Sequence, residues 1–197
     1  MKINSTYLNI ILPAIFTIIG VILGNYLSYW NSYELFEKQK IFDNQNISYA
    51  RLLSLKNPWV QSINTHLEAK LLCEFYETRC ILFTHEKEDF DQTKEQNERA
   101  LQLIKEISMK QQEIFETLGL IQTCFKLDSK TQDAIDEILK YESIEIELFP
   151  KNFKTQNELD IYFEKQTKNT RITVKKEFED KIEKLIKLLK PQIVRID

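Results

Sequence analysis

The sequence predicts a mainly α-helical protein: a single N-terminal transmembrane helix followed by a soluble bundle of four to six helices. Three observations lead there. Glycine occurs three times and proline four times in 197 residues, where average usage gives roughly fourteen glycines. A β-sandwich or barrel, with a turn about every ten residues, is hard to build from so few turn formers. Apolar residues recur at three- and four-residue spacing through most of the chain beyond residue 57, the period of a helix with one buried face. Finally, Lys2 is the only charged residue before Glu34.

The first element follows from that last observation. Leu8 to Trp30 is an uncharged, Ile- and Leu-rich run. At about 1.5 Å per residue it reaches roughly 34 Å, enough to cross a hydrocarbon core. Tyr26, Tyr29, Trp30 and Tyr33 crowd its C-terminal end and Tyr7 stands at the other, as amphipathic rings do at a lipid–water boundary. Pro13 falls near the start, where a helix has few bonds to lose. Residues 1–31 are therefore read as an anchor. Lys38 and Lys40 follow it closely, against Lys2 before it. By the positive-inside tendency the remainder lies on the cytoplasmic side of an inner (plasma) membrane. Three cysteines without disulfide spacing (Cys73, Cys80 and Cys124) agree with a reducing compartment. Gly20 and Gly24, one helical turn apart, let two backbones approach, and Asn25 beside them can bond between helices. These three residues are the expected oligomerisation face in the membrane.

Residues 32–56 read as a juxtamembrane helix and 57–197 as the soluble domain. Asn57-Pro58 resembles a helix start, with Asn as cap and Pro at the first position. From there Val60, Ile63, Leu67, Leu71 and Phe75 form an apolar face running to about Phe83, and 86–98 is a polar, acidic connection. Leu101, Ile104, Ile107, Ile114 and Leu118 mark the next helix, with Gly119 as its terminator. Asp128-Ser129 begins another, faced by Ile135, Ile138 and Leu139. Thr155-Gln-Asn-Glu158 is a capping box. Phe178, Ile182, Leu185 and Leu189 face the last helix, with Pro191 beyond it. Alternation over 144–149 and β-branching over 170–174 allow a minor two-stranded β element.

The chemistry-bearing residues are sparse. The glycine count excludes Gly-rich phosphate loops. His85, in an acidic segment, lacks metal-ligand spacing, and no Glu-x-x-His motif occurs. His66 sits beside apolar Leu67 as a surface or interface histidine. No metal, cofactor or catalytic residue is assigned, and the chain is read as a non-enzyme. The one charged cluster that suggests a ligand is Lys165, Lys168, Arg171, Lys175 and Lys176, which can hold a small anionic signal or lipid headgroups. The formal net charge is −3, and no nucleic-acid partner is expected.

The layout, one N-terminal span and a compact helical domain, resembles that of small membrane effectors of bacterial defence systems. The likeness is one of plan, and no residue is carried over from it. It implies a homo-oligomer in the bilayer that responds to a signal and perturbs the membrane or opens a channel. The alternative expectation is a passive anchored scaffold or adaptor that binds a protein partner.

Overall fold

A computed structural model describes the backbone of residues 5–140 and 143–193, with side chains from Phe16 onward. The mainly helical class holds. Helix α1 runs from Ser5 to Arg79, α2 from Lys87 to Cys124, α3 from Ser129 to Leu139, α4 from Gln156 to Val174 and α5 from Asp180 to Leu189. A π-helical turn, Cys80–Thr84, ends α1, and a second, Lys175–Glu179, joins α4 to α5. No strand forms among the described residues. The described residues divide into two compact units, one up to residue 44 and the other of residues 45–193. That division lies inside the segment read as juxtamembrane.

Within the first unit, every described side chain from Phe16 to Tyr33 is exposed and none is charged. Tyr26 stacks on Trp30 with ring centres 6.4 Å apart, and the first ion pair, Lys38 to Glu34 at 2.9 Å, follows one turn after the uncharged stretch. Among the described residues no helix is long and apolar enough to cross a membrane. The side chains of 8–15, the N-terminal part of the expected span with Pro13, lie outside the described residues, as does that of Tyr7. The stretch that follows is diluted by Asn25, Ser28, Asn31 and Ser32. By length and hydropathy, the described part of the helix does not support the transmembrane assignment.

In the second unit, α1 passes straight through Asn57-Pro58, which is not a helix start. Proline removes one backbone donor, but buried side chains on both sides hold the helix. Leu52, Trp59, Ile63 and Leu67 are all buried in the main core with Ile114, Leu118, Ile121, Ile135, Ile182 and Leu185. Ser62 Oγ donates to the Pro58 carbonyl at 2.7 Å. A smaller cluster joins Leu71 and Phe75 to Phe149 and Leu159.

The remaining differences have similar causes. Gly119 lies inside α2, which continues to Cys124 because Leu118 and Ile121 are fully buried. Leu101 and Ile104 are exposed, whereas Ile107 is buried as expected, and Ala100 is buried too. Asp128 does cap α3, accepting from the Thr131 N–H at 2.8 Å. Thr155 Oγ1 accepts from the Glu158 N–H at 3.3 Å, while Glu158 reaches back to the Lys154 N–H at 2.8 Å, one residue beyond the usual box partner.

The suggested strand pair is absent. Residues 170–174 form the last turn of α4, where Val174 is buried and Thr173 Oγ1 donates to the Asn169 carbonyl at 3.1 Å. The extended segment 143–149 has no partner strand. Its alternation places Ile144 and Ile146 half-buried against the helices with Glu145 and Glu147 outward, and it is pinned by the buried Phe149, whose N–H donates to Glu74 Oε2 at 3.2 Å.

Candidate functional site

The second π turn borders a cleft of the helical unit. An extra residue per turn re-aims the side chains that follow it, and such turns recur at functional sites. Here Phe178 is turned inward against Trp59, edge to face, with ring centres 5.5 Å apart. Beside this pair opens a cleft of about 360 Å³. Ile138, Ile144, Ser143 and Thr173 complete its walls, and Glu137, Lys140, Glu177 and Lys181 stand on its rim. Lys181 donates to Glu177 at 2.7 Å, and this bond holds the Glu177 carboxyl below its ordinary range. Lys140 has no ion pair among the described residues. An apolar floor with a rim of two lysines and two glutamates can hold a small amphipathic molecule.

The extended segment separates this cleft from a second of about 350 Å³, and Ser143 and Ile144 line both. His66, Lys70, Ser108 and Gln111 border the second cleft. His66 is buried, and its Nδ1–H donates to the Ala100 carbonyl at 2.9 Å, which ties α1 to α2. Burial holds its pKa down, the Ala100 bond opposes this, and Lys70 adds to it. Of the surface or interface placement expected, the surface one does not hold: the ring is an interior bridge between α1 and α2.

The third polar arrangement is the corner between α1 and α2. His85 there has φ 50°, a left-handed conformation, and its N–H donates to the Cys80 carbonyl at 3.0 Å. Arg79 and the buried Asp89 pair across this corner, and Arg79 also lies 5.4 Å from the Phe75 ring centre and 5.1 Å from that of Tyr76. Cys80 Sγ lies 3.8 Å from the Glu86 carbonyl as a weak donor. All three cysteines are free thiols, and burial pushes Cys73 up. No group of three or more potential metal ligands assembles among the described residues.

The residues singled out from the sequence fall in two places. Gly20 and Gly24 lie on the exposed helix with no atom within 4 Å of where a Cβ would stand, and Asn25 beside them is exposed. Lys165, Lys168, Lys175 and Lys176 are exposed and make no ion pair among the described residues. Arg171 differs from them, because its Nε and Nη2 donate to Glu68 Oε1 at 3.0 and 2.7 Å. The sequence reading missed Trp59 and the Arg79–Asp89 pair. Starting a helix at Pro58 assigned the inward face to Val60, whereas Trp59 is buried and Val60 only half-buried. Comparison with protein families, curated proteins and solved structures finds no match for this chain.

Proposed function

We propose that this chain is a non-enzymatic, single-pass membrane protein acting as an oligomeric, signal-responsive membrane effector. In this reading the apolar helix through residue 30 sits in the bilayer. Gly20, Gly24 and Asn25 pack copies together, and the cleft beside Trp59 and Phe178 receives the signal. Perturbing the membrane, or opening a channel in it, is the output.

One observation carries the membrane half of this reading. From Phe16 to Tyr33 the helix is uncharged and exposed on every side. A partner helix would cover one stripe. An uncharged helix with apolar side chains on every side, here interrupted by Thr17, Asn25 and Ser28, is suited to a protein core or a bilayer. Leaving its Ile, Leu, Val and Phe side chains in water forgoes about 1.5–3 kcal/mol each. The uncharged sequence extends back to Ile3, which favours the bilayer over a short docking helix.

The test is expression of the full chain beside a form lacking residues 1–31, with extraction at alkaline pH and membrane potential as readouts. Retention in the membrane and depolarisation by the full chain alone are expected. Release of the full chain into the alkaline supernatant would overturn the anchor. Gly20→Ile with Gly24→Ile should reduce cross-linked oligomers in membranes, and unchanged cross-linking would remove the glycines from the proposal.

A second reading, a passive adaptor, draws on the outer face of α2. Phe90, Leu101 and Ile104 are exposed there, with relative exposures of 64%, 57% and 44%. That reading predicts an intact membrane potential and a protein partner whose binding is lost on Leu101→Glu.

A further inference from the structure

Helix α4 carries a surface that the helical unit does not use. At about 100° per residue, positions 161, 165, 168 and 172 fall within an arc of about 60°, and Lys175 and Lys176 follow in the π turn. Ile161 and Ile172 stand along the middle of this arc, 59% and 57% exposed. Lys165, Lys168 and Lys175 surround them, and with Lys176 none has an ion pair among the described residues. Glu164 lies at the border of this face, and Glu177 and Glu183 lie near its Lys176 and Lys175 end. The opposite side of the helix is committed to the protein through the buried Leu159 and Val174, with Arg171 at the flank bonded to Glu68. The face is therefore rigidly presented and both basic and apolar, although the chain as a whole is acidic.

We propose that this face of α4 docks on an anionic phospholipid surface, with Ile161 and Ile172 entering the interfacial layer and Lys165, Lys168, Lys175 and Lys176 meeting the headgroups. The inference deepens the membrane reading above and rests on it. Three features favour lipid over other anionic partners. Isoleucines inside a ring of cations are suited to the boundary between headgroups and acyl chains, and would be left without apolar partners on a nucleic-acid backbone. Lysine stems can lie along apolar surface while their ammonium groups remain in the polar layer. The cations around the isoleucines are all lysines, flexible point charges that match a fluid headgroup layer, and the arginine with its fixed fork is bonded to Glu68.

The experiment uses the full chain on vesicles of neutral phosphatidylcholine, and of phosphatidylcholine with about 30% phosphatidylglycerol, the anionic component that a basic face should sense. A water-soluble amine-acetylating reagent is applied and each lysine is read by mass spectrometry, with Lys105 and Lys126 as exposed controls. Acetylation of Lys165, Lys168, Lys175 and Lys176 should be about fivefold slower on the anionic vesicles, with the controls unchanged. The protection should vanish at about 0.5 M NaCl and in an Ile161→Asp/Ile172→Asp variant. Equal rates on both vesicles would overturn the docking face while leaving the anchor standing, provided the chain still floats with neutral vesicles. Failure to float with neutral vesicles would instead remove the anchor. Protection that rises with protein concentration in the absence of lipid would overturn the proposal by assigning the face to a second copy.

Discussion

Asp89 and Arg79 form the most buried ion pair of the described structure. The aspartate is 2% exposed. The Arg79 Nε donates to both carboxylate oxygens at 3.0 Å, and its Nη2 and Thr84 Oγ1 complete the set. The bond from Arg79 holds the Asp89 carboxyl below the usual carboxylate range, against the opposing effect of burial, and Thr84 adds to it. Because the folded value is depressed, this stabilisation is complete above the ordinary value of about 3.9, and it is lost as pH falls through the depressed one. Asp89→Asn should destabilise the unit by about 3 kcal/mol, read as a lower urea midpoint with an unchanged slope. The variant should also lose less stability than the natural protein between pH 5 and about 3. Superimposable acid profiles would show that the pair does not report the corner's stability.

His66 predicts a second pH dependence of different position. Burial lowers its pKa in the folded state, so the unfolded chain takes up its proton first as pH falls. The folded state is then favoured above about 6.5, and it loses stability as pH drops from there toward the depressed value. Urea midpoints should decline from pH 7 to about 5.5, a window separate from that of Asp89. His66→Gln, which can still donate to the Ala100 carbonyl, should flatten the decline. An equal slope in that variant would assign the decline to another group.

Gly119 distinguishes a helix end from a helix interior. No described glycine has a positive φ, and nothing lies within 4 Å of a Cβ built at Gly119. Gly119→Ala should therefore stabilise the unit by about 0.5–1 kcal/mol, through helix propensity and a less entropic unfolded chain. Had the residue terminated the helix in a left-handed conformation, the same change would destabilise. A lowered thermal midpoint would thus contradict the continuous course of α2.

The local signals in this sequence are reliable where they act over a single turn. Asp128 and Thr155 accept from backbone donors three residues on, because the side-chain geometry of a cap needs no distant partner. Phe178, Ile182, Leu185 and Leu189 are all buried, as their spacing requires of a helix lying on a core. The same local reasoning failed at Pro58 and Gly119. Both residues discourage a helix by an amount that a buried Trp59, Leu118 or Ile121 on the neighbouring turns outweighs. The β-branched stretch 170–174 likewise yields to the burial of Val174.

By itself, the sequence determined the helical class, the caps, the uncharged N-terminal stretch and the lysines of α4, since each is a matter of composition or of contacts within a few residues. Only the tertiary structure decided that Trp59 meets Phe178 across a π turn and that Arg79 reaches Asp89 around a left-handed corner. It likewise decided that Arg171 bonds Glu68 while its lysine neighbours stay outward. These pairings join residues 10, 103 or more positions apart, and no propensity carries that information. They depend on which helix faces survive the competition for burial, which is settled only when every helix of the unit is packed at once.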